Sequence, residues 1–339
     1  MRRRRLLGTV GAGVLTTVAG CAATNRDPGD EGSHPLRSDR TTVRVDTVSE
    51  TDVDLAALTR DALDYWEEHG RQYAGVDPAF ELVEYTGPDV IIAYADGPVG
   101  CEDVAVDTEQ VLGCAPLVDA DYPTDQPITA RVVAGDRPPG LILRTAKHEL
   151  GHLLGLEHHH DPTAIMSSRP GDRIPHYESR MAAWSEVREG KQRAVDGIDL
   201  FNAGVSAWDE RTYDRAVERF AEATDSFDAG LTAVGRARGE IETIDENADW
   251  RTIDRDGVES ALDRFETQLV AAETVAGLMR EAAEAASDGR HDRAGTLSER
   301  ASDELETLST LPEPRVDEFT VGLGLVQGIE RDEPLFEVQ

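Results

Sequence analysis

The spacing of apolar positions changes several times along the chain, and each change predicts a different element. Thr42-Val43-Arg44-Val45 alternates polar and apolar, as a half-buried strand does. From Asp52 to His69 the period lengthens. Leu55, Leu58, Ala62, Tyr65 and Trp66 recur at helical spacing with acids and Arg60 between them, which predicts an amphipathic helix. Phe80–Tyr85 and Val90–Tyr94 predict two more strands, bounded by Gly87-Pro88 and Gly97-Pro98, and Ile128–Val133 predicts another. After Pro138-Pro139-Gly140, the stretch Leu141 to Leu154 is apolar enough for a buried helix. From Trp184 to Leu311 proline is absent and Ala, Glu, Asp and Arg dominate. That composition predicts a helical region, within which Leu262, Phe265, Leu269, Ala272 and Val275 keep helical spacing. The expected fold is α+β followed by all-α.

A chain of 339 residues is long enough for two cores, and 39% hydrophobic with 30% charged residues fits a soluble globular protein. Charge changes the picture more. There are 67 acids against 34 bases, a formal net charge of −33, and Lys147 and Lys191 are the only lysines. So acidic a chain lacks the basic footprint that nucleic acid requires, so no nucleic-acid partner is expected, and it disfavours docking onto anionic lipid. An acidic, lysine-poor surface is the halophilic pattern, adapted to molar salt where a Debye length of about 3 Å removes self-repulsion.

Arg2 to Arg5 precede an apolar run, Leu6 to Gly20, interrupted by Gly8, Gly11 and Gly13. The run is shorter than the roughly 20 residues of a spanning helix, so the pair predicts an export signal. Arg3-Arg4-Arg5-Leu6-Leu7 resembles a twin-arginine signal, and Val18-Ala19-Gly20-Cys21 resembles a lipobox. These resemblances imply cleavage after residue 20, lipidation of Cys21 and anchorage to the outer face of the cell membrane, with no other membrane contact. An ordinary signal peptide with an incidental cysteine is the alternative. Asn25 to Arg40, rich in Asp, Gly, Ser and Pro, reads as a flexible tether. The expected organisation is signal 1–20, tether 21–40, α+β domain 41–184, helical domain 185–311 and tail 312–339. With Cys21 assigned to the anchor, Cys101 and Cys114 form the remaining pair, which should oxidise outside the cell. The bridge would contribute about 3 kcal/mol in the chain-entropy model, and two free buried thiols are the alternative.

The chemistry gathers in His148-Glu149-Leu150-Gly151-His152, followed by Gly155 and His158. Two histidines four apart leave one helix face one turn apart and can hold one zinc ion. Glu149, beside the first, can reach a metal-bound water without ligating the metal. Gly155 ends the helix at little steric cost, so the chain can bend back and present His158. Three nitrogens leave one tetrahedral position open, which defines a catalytic site. His159 and His160 read as solvated turn residues.

His148-x3-His152-x2-Gly155-x2-His158 resembles the metzincin zinc signature, and Asp161-Pro162-Thr163-Ala164-Ile165-Met166 resembles the matrixin continuation into the Met-turn. The resemblance implies a metzincin-like domain, a twisted mixed sheet with an active-site helix. It implies one catalytic zinc on His148, His152 and His158, Glu149 as general base, and Met166 beneath the metal. The implied activity is endopeptidase action on a protein or peptide substrate, laid as an added strand on a sheet edge that Gly113 to Val118 is expected to form. Three departures are visible. Ser167, Ser168 and Arg169 stand where matrixins carry an aromatic residue and a proline, so substrate preference does not transfer. No histidine lies between His69 and His148 for the family's second zinc site, and no cysteine other than Cys21 precedes the domain for thiol latency. Calcium has no sequence support.

In the helical region, Tyr213 to Ala223 is similar to the second helix of a tetratricopeptide repeat, with Ala203-Gly204 at the small positions of the first, and Gly289 to Ala294 echoes it. A plain antiparallel bundle is the equal alternative. The region would offer a surface to a protein partner or serve as a scaffold. The alternative function, from another class, is a zinc-containing binding or assembly protein whose helical region acts and whose peptidase activity is vestigial.

Overall fold

The computed structural model describes residues 34–36, 40–47, 51–97, 112–123, 125–135, 137–244 and 252–325. Cys21, Cys101, the signal and most of the tether lie outside these residues. The first region carries strands β1 (Thr41–Thr47), β2 (Phe80–Leu82), β3 (Val90–Ala95), β4 (Gly113–Cys114) and β5 (Ile128–Val133) in one mixed sheet, ordered β2-β1-β3-β5-β4. All pairings are parallel except β4 with β5. β2 is shorter than expected. Val83 still donates to the Val43 carbonyl, after which the chain leaves the edge for the turn at Gly87.

Register explains where the core lies. Val90, Ile92 and Tyr94 of β3 pair with Ile128, Ala130 and Val132 of β5, and all six are buried, so one sheet face presents continuous apolar rows. Helices α1 (Leu55–Tyr73) and α2 (Pro139–Leu153) close this face with Leu58, Ala62, Trp66, Ile142, Leu150 and Leu153. Asp54 caps α1 by accepting from the Ala57 amide, and the Trp66 indole nitrogen donates to the Lys147 carbonyl at 2.8 Å, tying α1 to α2. Tyr94 is buried in this core, its hydroxyl 2.8 Å from that of Thr59, which also bonds to Leu55 O.

Two single-turn helices, α3 (Thr163–Met166) and α4 (Pro170–Arg173), lead to a helical region. It consists of α5 (Tyr177–Asp209), α6 (Tyr213–Glu242), α7 (Arg255–Ser287), α8 (His291–Ser309) and the short α9 (Val316–Gly322). α5 begins upstream of the expected break at 184, and α9 adds a helix in the tail. The four long helices run as an antiparallel array in which each packs mainly on its sequence neighbours. On α5, Gly190, Gly197 and Gly204 stand seven apart and receive the rings of Phe265, Phe227 and Phe220. No helix among the described residues is long and apolar enough to cross a membrane.

The two regions meet near a buried arginine. Arg180 of α5 is fully buried. Its guanidinium donates to the carbonyls of Pro175, Thr252 and Leu323 and to the Thr252 hydroxyl at 2.6–2.9 Å. Gly324, at φ +68°, packs beside Arg180 and against Leu141 at the start of α2.

Candidate metal centre

Helix α2 builds the site by running through His148 and His152 and then stopping. Leu156 N donates to Gly151 O at 2.9 Å and Gly155 N donates to His152 O at 3.0 Å, a Schellman closure with Gly155 at φ +84°. The reversed chain brings His158 to the other two. The three Nε2 atoms form a triangle with sides of 3.1, 3.2 and 3.2 Å.

Second contacts fix which nitrogen carries the proton. His148 Nδ1 lies 2.7 Å from Ile165 O and His152 Nδ1 lies 2.7 Å from Leu156 O. A carbonyl only accepts, so both rings donate from Nδ1 and, when neutral, turn an Nε2 lone pair inward. Lone pairs 3.1 Å apart repel unless a cation lies between them. Burial first, then neighbouring charges, hold His148 well below the usual imidazole range. Burial brings His152 down to about 4 and lowers His158, so neutral, ligating rings are favoured. The triangle also fits zinc by size. Its corners lie about 1.8 Å from its centre, close to a zinc–nitrogen bond of about 2.0–2.1 Å, so the three nitrogens could hold one zinc ion.

Glu149 is 4% exposed. Burial pushes its carboxyl up to about 8, and the Arg173 guanidinium pulls the other way. Edge strand β4 approaches this carboxyl closely, since a β-carbon on Gly113 would collide with the Glu149 and Thr145 side chains. Met166 is fully buried beside α2, where Gly151 leaves the space that its sulfur fills. The backbone just before it, at Ile165, holds His148, so α3 positions both.

The expected residues thus come together as His148, His152 and His158, with Glu149 adjoining and Met166 packed against the same helix. Cys114, at the end of β4, is half-buried, and its expected partner Cys101 lies outside the described residues. His160 accepts the Glu157 amide at 2.8 Å and His159 is largely exposed, so neither faces the triangle. Arg173 and the close approaches at Gly113 and Gly151 escaped sequence reading. Their roles arise from close approaches between elements, for which no local spacing exists.

Residues 38–170 match the family model for matrixins. No curated protein matches the chain. The match spans the sheet, α2 and the Met166 segment and stops before the helical region. The sheet-bearing part of this chain is therefore matrixin-like, and its family match together with the three-histidine cluster supports a zinc metallopeptidase.

Proposed function

We propose that the protein is a zinc-dependent endopeptidase that acts outside the cytoplasm. The observation that carries this reading is the convergence of the three Nε2 atoms beside a buried carboxyl. His148, His152 and His158 would hold zinc, which when bound lowers the pKa of water and polarises a carbonyl. Glu149 takes the proton of the attacking water and returns it to the leaving amine. A cation in the neighbouring triangle favours the charged carboxylate, offsetting the burial that raises its pKa. The peptide adds to the outer edge of β4, which is the last strand of the sheet.

The leader and Cys21 fit export and lipid anchorage to the outer face of the membrane, and a Cys101–Cys114 disulfide would brace the segment before β4. The excess of 67 acids over 34 bases fits work in molar salt. The test is turnover of casein or a peptide library in molar salt by the full chain. Cleavage should require zinc, stop with chelator, and vanish in Glu149→Ala while zinc stays bound. Cleavage that persists in Glu149→Ala would overturn the assignment. Zinc binding with no turnover of any peptide would favour the binding-protein alternative.

A further inference from the structure

Beside the histidine triangle lies a positive charge for which the proposed chemistry has no use. Arg173 ends α4, a turn pinned by the Ser167 hydroxyl donating to Asp172 at 2.6 Å and by Ile174 N donating to Pro170 O at 2.7 Å. Its Nε is buried and makes no hydrogen bond, and among the described residues it forms no ion pair, in a chain with a large excess of acids. The cavity it lines is shared with Thr145, which packs with Glu149 around Gly113, and with Ile165, whose carbonyl lies 2.7 Å from His148 Nδ1, so Arg173 borders the same cleft. Arg173 lines a cavity of about 60 Å³ whose walls include Leu112, Thr145, Ile165, Tyr177 and Leu325. Leu112 directly precedes β4, the strand edge offered to substrate. Arg144 lines the same cavity, where its Nη1 donates to the Ala164 carbonyl at 3.2 Å. A desolvated guanidinium with mostly apolar walls around it is complementary to a carboxylate on an apolar stem.

We propose that this cavity receives a substrate carboxylate close to the scissile bond, and that Arg173 is the specificity-determining residue that pairs with it. The inference rests on the peptidase reading and names its substrate class. The carboxylate has two sources, an Asp or Glu side chain within the peptide or the free C-terminus of a short one.

The test uses non-cleavable peptides with a reduced central amide, bound to the zinc-loaded full chain and followed by fluorescence anisotropy at fixed salt. One pair differs only in Glu against Gln beside the central bond, and a second only in a free against an amidated C-terminus. At least one acidic probe should bind about 10-fold or more tightly than its neutral twin, and Arg173→Met should bring that ratio close to one. Should Arg173→Met unfold, Arg173→Gln gives the same reading. A Glu preference identifies the internal side chain, and a free-acid preference identifies the C-terminus. Equal binding of both pairs, or a preference that survives loss of the Arg173 charge, overturns the proposal even if peptides are cleaved. A preference that depends on Arg173 in a protein that cleaves nothing upholds the carboxylate site and overturns the peptidase reading instead.

Discussion

The sulfur of Met166 occupies the place where a β-carbon on Gly151 would stand, and the Trp66 ring closes the same space from α1. Gly151→Ala must therefore move a fully buried methionine or shift α2, which carries two of the three histidines. Overpacking of this kind costs about 1–3 kcal/mol. The variant should melt several degrees lower and bind zinc more weakly, as read by thermal melting and competition with a chromogenic chelator. An unchanged zinc affinity would mean that Met166 does not position the ligands.

Removing the metal should lower stability through mass action alone. At zinc concentrations 1,000-fold above the dissociation constant, binding stabilises the folded state by about 4 kcal/mol. Chelator should therefore lower the melting temperature of the wild type. His158→Ala should melt near the chelated wild type and respond little to added zinc.

The array of long helices depends on glycines that seat large side chains. Alanine at Gly197 would gain about 1 kcal/mol of helix propensity, yet its methyl group would collide with the Phe227 ring. The collision should win, because an aromatic ring packed between two helices cannot rotate aside, leaving a net loss of about 1–2 kcal/mol. Chemical denaturation of Gly197→Ala measures this, with Gly235→Ala, which meets nothing, as the control.

Alkaline stability should follow Tyr94. Burial raises its phenol to about 12, against a smaller lowering by the hydrogen bond to Thr59. The folded pKa exceeds the unfolded value of about 10, so the contribution of about 2–3 kcal/mol is complete below pH 10 and is lost between roughly pH 10 and 12. Tyr94→Phe should lose about 1 kcal/mol at neutral pH and flatten part of the alkaline limb. Tyr65, likewise raised to about 12, keeps the rest.

Much of this was legible because it is local. Val43, Ile92 and Val132 announce buried strand faces by period, and His148, His152, Gly155 and His158 announce a site because one helix and one turn fix their geometry. The remainder depends on contacts between distant segments. Arg180 is paired with carbonyls 72 and 143 residues away, and nothing in the local sequence distinguishes it from the other arginines of α5. α9 falls in the expected tail because apolar residues such as Val316 and Phe319 acquire meaning only against α7. Arg173 was missed for the same reason: it reaches the cleft through the packing of a single turn.

One wall of that cleft, at Gly324 and Leu325, comes from chain far beyond the last residue of the zinc signature. Inheritance can therefore alter what the cleft admits while leaving every ligand-bearing residue intact. Substitutions at 324 and 325 would retune selectivity between related proteins whose catalytic helices are identical, so comparing active-site residues alone would group together enzymes with different diets.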